Sequence, residues 1–133
     1  MFLLDTNVVS ELRRARPHGA VLAWLEPIAA SELYISAVTL GELQAGVEIT
    51  RQQDAGRAAE LDHWVDLVEQ THAVLPLDGP TFRLWARMLH GKPRELAQDA
   101  MIAATAAAHA LTVATRNVRD FAPFGVPTVN PFA

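Results

Sequence analysis

Short apolar runs recur along this 133-residue chain with stretches of helical spacing between them, and that alternation leaves few folds open. Phe2-Leu3-Leu4, Leu33-Tyr34-Ile35, Ala73 to Leu77 and Thr112 to Thr115 read as strands, and Pro127-Thr128-Val129 adds a fifth. Between the first two, Val21, Leu22, Trp24, Leu25 and Ile28 fall at helical spacing over 20–28. Thr39 opens a helix toward Thr50. A charged segment over 51–56 then turns the chain into a helix striped by Leu61, Trp64, Val65 and Val68. Pro76 confines the third strand to a sheet edge or ends it. Asp78-Gly79-Pro80 starts a helix through Leu89, and Gly91 to Arg94 is a loop that no helix should cross. Leu96 to Ala110 is alanine-rich and nearly apolar all round, which predicts a buried helix; a short turn or helix follows at 117–121. Strands separated by helices pair in parallel, with helices on both faces. The expectation is one α/β domain over 1–133, three layers deep, around a central parallel sheet of four to five strands.

Composition narrows the function classes. Half the residues are hydrophobic and a fifth charged, the balance of an ordinary globular chain. No apolar run approaches the roughly 20 residues that span a bilayer. The start, Met1-Phe2-Leu3-Leu4-Asp5, has neither the basic region nor the cleavage site of a signal peptide. Without cysteine there are no disulfides and no thiolate metal sites. A cytoplasmic protein with no membrane partner is the expectation. The formal charge of −4 argues against a nucleic-acid partner at first sight. Of 15 acidic and 11 basic residues, however, four acidic ones are candidate metal ligands, which leaves 11 against 11. Ten of the basic side chains are arginine, whose planar fork matches phosphate, and Lys92 is the single lysine.

Those four acidic residues stand at the ends of apolar stretches: Asp5 after the first strand, Glu42 in Thr39-Leu40-Gly41-Glu42, Asp99 in Ala97-Gln98-Asp99-Ala100, and Asp120 beyond Thr115. Parallel sheets bind ligands beyond the carboxyl ends of their strands, and all four fall at that end. Each has a structural reading as well. Asp5 can cap the helix after it, Thr39 and Glu42 match a capping box, Asp99 suits a helix start, and Asp120 suits a solvated turn. Asp99 fits the bland reading least, because an unpaired carboxylate in an apolar helix is expensive. Together they describe an oxygen-only site for a hard divalent cation, Mg²⁺ with Mn²⁺ as a substitute, and hence metal-dependent cutting of a phosphodiester.

Leu4-Asp5-Thr6-Asn7 with Ser10-Glu11 resembles the opening of PIN-domain ribonucleases. Ile35 to Leu43, continuing to Gly46-Val47, resembles their second motif. Asp99 to Ala106, with Thr112 to Asn117, resembles the third and fourth. The likeness runs to Val129-Asn130-Pro131-Phe132 and is strongest to the VapC and FitB toxins of bacterial toxin–antitoxin pairs. It implies an acidic core of Asp5, Glu42 and Asp99, with Asp5 and Asp99 the direct metal ligands. Many relatives carry aspartate where this chain has Asn117, so Asp120 is the residue able to restore the charge. Thr6, Asn7 and Thr115 match polar residues lining the family's pocket, and Arg13, Arg14, Arg116 and Arg119 are rim candidates for holding RNA.

The resemblance further implies an RNA substrate (a tRNA or another structured RNA), a VapB- or FitA-like antitoxin, contact with operator DNA only through that antitoxin, and a homodimer. A competing reading is a non-catalytic module whose acidic pocket captures an antitoxin arginine. A phosphatase or acyl hydrolase is disfavoured: there is no Gly-x-Ser-x-Gly, no phosphate-binding glycine loop and no cysteine nucleophile. Trp24, Trp64 and Trp85 read as packing residues, and none of the five histidines has metal-ligand spacing.

Overall fold

The computed structural model describes all residues from Met1 to Ala133. Five strands, β1 (Phe2–Leu4), β2 (Leu33–Ser36), β3 (Ala73–Leu75), β4 (Thr112–Ala114) and β5 (Thr128–Val129), form one sheet in the order β3-β2-β1-β4-β5. Every pairing is parallel. The helices are α1 (Thr6–Glu11), α2 (Gly19–Leu25), α3 (Ala37–Arg51), α4 (Ala55–Thr71), α5 (Gly79–Leu89), α6 (Ala97–Ala108) and α7 (Val118–Phe121). The three-layer expectation is met. β3 ends at Leu75, before Pro76, and lies at the sheet edge, as a residue without an N–H donor requires.

Two-residue alternation along the strands divides the core. Leu3 and Val113 face a layer built by Ala100, Ile102, Ala103 and Ala106 of α6 with Phe121 and Phe124. Leu4, Ile35 and Ala114 face the other side, against Val8, Val9, Val21 and Val68. Trp85 fixes α5 on α6 through Nε1, which donates to the Ala97 carbonyl at 2.9 Å. Trp24 packs edge-on against Phe2 with ring centroids 4.9 Å apart, and Trp64 packs against the second layer. The tryptophans are therefore structural.

Several boundaries differ from the sequence reading. α2 stops at Leu25, short of Ile28. A 3₁₀ turn at Arg94–Leu96 precedes α6, which itself ends at Ala108. The more consequential correction concerns α3. β2 runs straight into the helix, and Ser36, the last strand residue, is its N-cap: Ser36 Oγ accepts from Val38 N–H at 3.2 Å. Thr39 is thus inside the helix and Glu42 in its second turn, so the capping-box reading of that pair fails. Both side chains are released to the site.

α6 closes unusually. Leu111 N–H reaches back to the Ala106 carbonyl (2.9 Å) and Ala110 N–H to that of Ala107 (3.4 Å), with Ala110 at φ 54°. This is the Schellman arrangement, which normally places glycine at the left-handed position. Ala110→Gly is expected to stabilise the protein by about 1 kcal/mol in urea denaturation. No gain would mean that glycine's extra unfolded-state entropy cancels the relief.

Candidate active site

From β1 the chain steps through β2 to β3, then returns to the opposite side of β1 for β4 and β5. The reversal opens a crevice between the carboxyl ends of β1 and β4, where doubly wound sheets bind ligands. Asp5 and Thr115 are the first residues beyond those ends. Asp5 N–H donates to the Ala114 carbonyl at 2.9 Å, extending the ladder one step and placing both side chains together.

Asp5 is buried and fully engaged. Its Oδ1 accepts from Thr6 N–H at 2.8 Å, which caps α1. Its Oδ2 accepts from Thr115 Oγ1 at 2.7 Å and from Asn7 Nδ2 at 3.2 Å. Thr115 Oγ1 in turn accepts from Asn117 N–H at 2.9 Å, while Asn7 Oδ1 accepts from Arg116 N–H at 3.2 Å. Thr6, Asn7, Thr115, Arg116 and Asn117 thus form one polar scaffold around Asp5. Burial pushes the Asp5 carboxyl above its ordinary value; the three hydrogen bonds oppose that rise, and the Asp120 charge adds to it.

Glu42 arrives from α3. Thr6 Oγ1 donates to its Oε1 at 3.0 Å and stands 3.1 Å from Thr39 Oγ1, one helical turn away on the same face. Its pKa is raised, by burial and then by the Asp5 charge, against the Thr6 hydrogen bond. Asp99 lies in the first turn of α6, half-buried, and no side chain or backbone N–H donates to it. A helix start favours a carboxylate by roughly 0.3–1 kcal/mol. Burial and the charges of Asp5, Asp120 and Glu42 outweigh that, pushing the Asp99 pKa up to about 6.

A cavity of about 420 Å³ opens over Asp5, Glu42 and Asp99, and every residue lining it is polar or charged. Arg13, Arg14, Arg116 and Asn117 also line it; Arg119 does not. Asp120 is exposed on α7 and outside the lining, and acts on Asp5 and Asp99 through its charge. None of the four carboxylates belongs to an ion pair, since the chain's three pairs use Glu11, Glu48 and Asp62. No three of the acidic groups close to metal-ligand spacing. The carboxylates of the cavity offer only oxygen donors, the set that suits a hard cation.

Thr39, Glu11 and Ser10 had no role assigned from sequence, and Ser10 lines the cavity. Thr39 was hidden by the capping-box pattern, although its i, i+3 spacing from Glu42 marks the shared face. Glu11 is buried beside the cavity, accepts from His18 N–H at 2.8 Å and meets Arg14 at 3.7 Å. Its helical position after Asp5 was the available signal. A second groove of about 450 Å³ shares Thr6, Ser10, Arg13 and Glu42 with the first and continues past Leu43, Val47, Leu61 and Trp64.

The sequence profile of the PIN domain matches residues 2–124. The chain is 37% identical over 143 residues to Toxin FitB of Neisseria gonorrhoeae, with 99% of both chains covered. It is 38% identical over 142 residues to VapC ribonuclease Y4jK of Sinorhizobium fredii, covering 99% of this chain and 98% of the relative. Among solved structures, FitAB bound to an IR36 DNA fragment contains a chain that superposes with a TM-score of 0.86 at 34% identity, covering 100% of this chain and 96% of that one. Profile, fold and an acidic crevice between β1 and β4 agree from one end of the chain to the other: it belongs to the PIN-domain family.

Proposed function

We propose that this chain is a metal-dependent endoribonuclease that hydrolyses RNA phosphodiester bonds, acting as the toxin of a toxin–antitoxin pair. The observation that carries the reading is the polar cavity at the sheet's switch point, where Asp5, Glu42 and Asp99 gather with none of the three in an ion pair. Relatives named as a VapC ribonuclease and a FitB toxin, matched over nearly their full lengths, support it.

Asp5 and Asp99 would hold Mg²⁺, or Mn²⁺ in its place, with Glu42 beside them. Asp120 adds charge from the perimeter, and Asn117 offers only a neutral carbonyl. When bound, such a cation offsets charge on the phosphate and acidifies a water. The remaining work belongs to the protein. Thr115, Asn7 and the Thr6 N–H pin Asp5 in one orientation. Thr6 holds Glu42 by Oε1, which leaves Oε2 free to orient a water and take its proton. The raised Glu42 pKa makes it the stronger base. Arg13, Arg14 and Arg116 on the cavity wall suit the RNA backbone.

Uncompensated carboxylates also suit a guanidinium, and the adjoining groove offers apolar footing beside them. An antitoxin arginine entering the cavity would silence the enzyme, and the antitoxin would carry the pair to operator DNA. The FitAB–DNA structure supports that assignment. If the chain only captures arginine, it needs no metal. Calorimetric titration of the antitoxin-free chain with Mn²⁺ separates the two readings: saturable binding supports the nuclease, and none leaves the arginine-binding module.

Thr115→Val keeps the side-chain shape but removes the donor to Asp5. Loss of a hydrogen bond that orients a ligand typically weakens metal binding by about 10–100-fold, so an apparent Mn²⁺ affinity about tenfold lower is expected. Unchanged affinity would show that Asp5 needs no such support.

A further inference from the structure

Arg116 follows the threonine that binds Asp5 and lies on the wall of the acidic cavity. It is held twice. Its N–H donates to Asn7 Oδ1, and its guanidinium carbon lies 3.8 Å from the centroid of the Phe132 ring. That ring is itself anchored. Asn130 Oδ1 accepts from Phe132 N–H at 2.9 Å, and Ala133 N–H closes the turn on the Asn130 carbonyl. Pro131 is buried, the His18 ring meets Phe132 edge-on at 5.4 Å, and Phe132 packs against the second core layer.

A guanidinium beside several carboxylates would ordinarily turn onto one of them. Arg116 makes no ion pair; the chain's ion pairs engage Arg14 and Arg51. Stacking on an aromatic face uses the π surface and leaves the N–H fork, the part that recognises phosphate, unspent. The stack therefore keeps Arg116 from neutralising the acidic site and presents its donors at the mouth.

We propose that Phe132 is a positioning residue that holds Arg116 as a phosphate-contacting arm, so the RNA backbone is gripped beside the carboxylates rather than repelled by them. The inference rests on the ribonuclease reading above.

The test is fluorescence anisotropy of the full chain with a fluorescein-labelled RNA oligonucleotide pool of randomised sequence. Ca²⁺, whose oxygen coordination is larger and looser than that of Mg²⁺, is used to favour binding over cleavage. Phe132→Leu should weaken binding by about two- to fivefold, the span of an exposed cation–π contact. Phe132→Tyr should restore native affinity. Arg116→Gln should weaken binding at least as much as Phe132→Leu, and lower the slope of log affinity against log salt by about 0.7, one single-strand phosphate contact. The double variant should bind no more weakly than Arg116→Gln alone.

Native affinity in Phe132→Leu would overturn the inference. So would a double variant that loses both factors in full, which would mean that the ring touches a base on its own account. Should Phe132→Leu fail to fold, the exposed Arg116→Gln still decides: unchanged affinity and slope there are fatal. No RNA binding by the native chain would remove the ribonuclease reading, and this inference with it.

Discussion

Replacing Asp99 by asparagine is expected to lower RNA cleavage by about 10³-fold or more, roughly 4 kcal/mol of transition-state stabilisation, while the metal-free chain stays folded. Asp5→Asn is expected to do the same to cleavage. The two differ in stability. Asp99 receives no hydrogen bond and is raised to about 6 by burial and by three neighbouring carboxylates. An amide of nearly the same shape removes that repulsion. With Asp99 half-exposed and screened by solvent, the gain at pH 7 is of order 1 kcal/mol. Asp5 is buried and accepts three hydrogen bonds, so its amide leaves one donor facing another and brings no such gain. Cleavage assays paired with urea unfolding of both variants check this. Retained cleavage in either would remove that residue from the catalytic set, and unfolding of Asp99→Asn would assign Asp99 to the scaffold.

The second large effect is on pH. The folded pKa of Asp99, about 6, lies above its ordinary 3.8. The native chain therefore holds this proton more tightly than the unfolded one does. Stability credited to Asp99 is fully present below about 3.8, falls as pH rises toward about 6, and is flat above that. Metal binding runs the other way, because a cation must displace the proton. Mn²⁺ affinity is expected to rise about tenfold per pH unit as pH climbs toward 6, and to level off above it. Raised values at Asp5 and Glu42 act in the same direction. Calorimetry at pH 5, 6 and 7 measures the slope. Affinity independent of pH over that range would mean that Asp99 is not a ligand. Added Mn²⁺ should also raise the melting temperature at pH 7, by mass action on the folded state.

Much of the fold was readable because the period of burial is a local property. Leu3 and Leu4 must face opposite layers once Phe2–Leu4 is a strand, and Ala100, Ala103, Ala104 and Ala106 must be buried once α6 is nearly apolar all round. The acidic residues were readable for a related reason: in parallel sheets, every strand's carboxyl end points to the same edge. Helix boundaries were less so. Whether Ser36 or Thr39 caps α3 depends on where β2 stops pairing, and β2 pairs with β1 and β3, distant in the chain.

The sequence by itself determined the fold class, the family resemblance, and the set of carboxylates available to the site. Residue type and periodicity suffice for these, since each follows from side-chain chemistry and a repeat of two or about four residues. Only the tertiary structure decided how the members are used. It set Thr115 against Asp5 across 110 positions, sent Thr39 and Glu42 to Thr6, left Asp120 and Arg119 outside the cavity lining, and laid Arg116 on Phe132. Those contacts join segments that meet only once the strands pair, β1 with β2 for Thr6 and α3, and β1 with β4 for Asp5 and Thr115. No local pattern specifies them, because their energies exist only once the sheet has brought the partners within hydrogen-bond or van der Waals range.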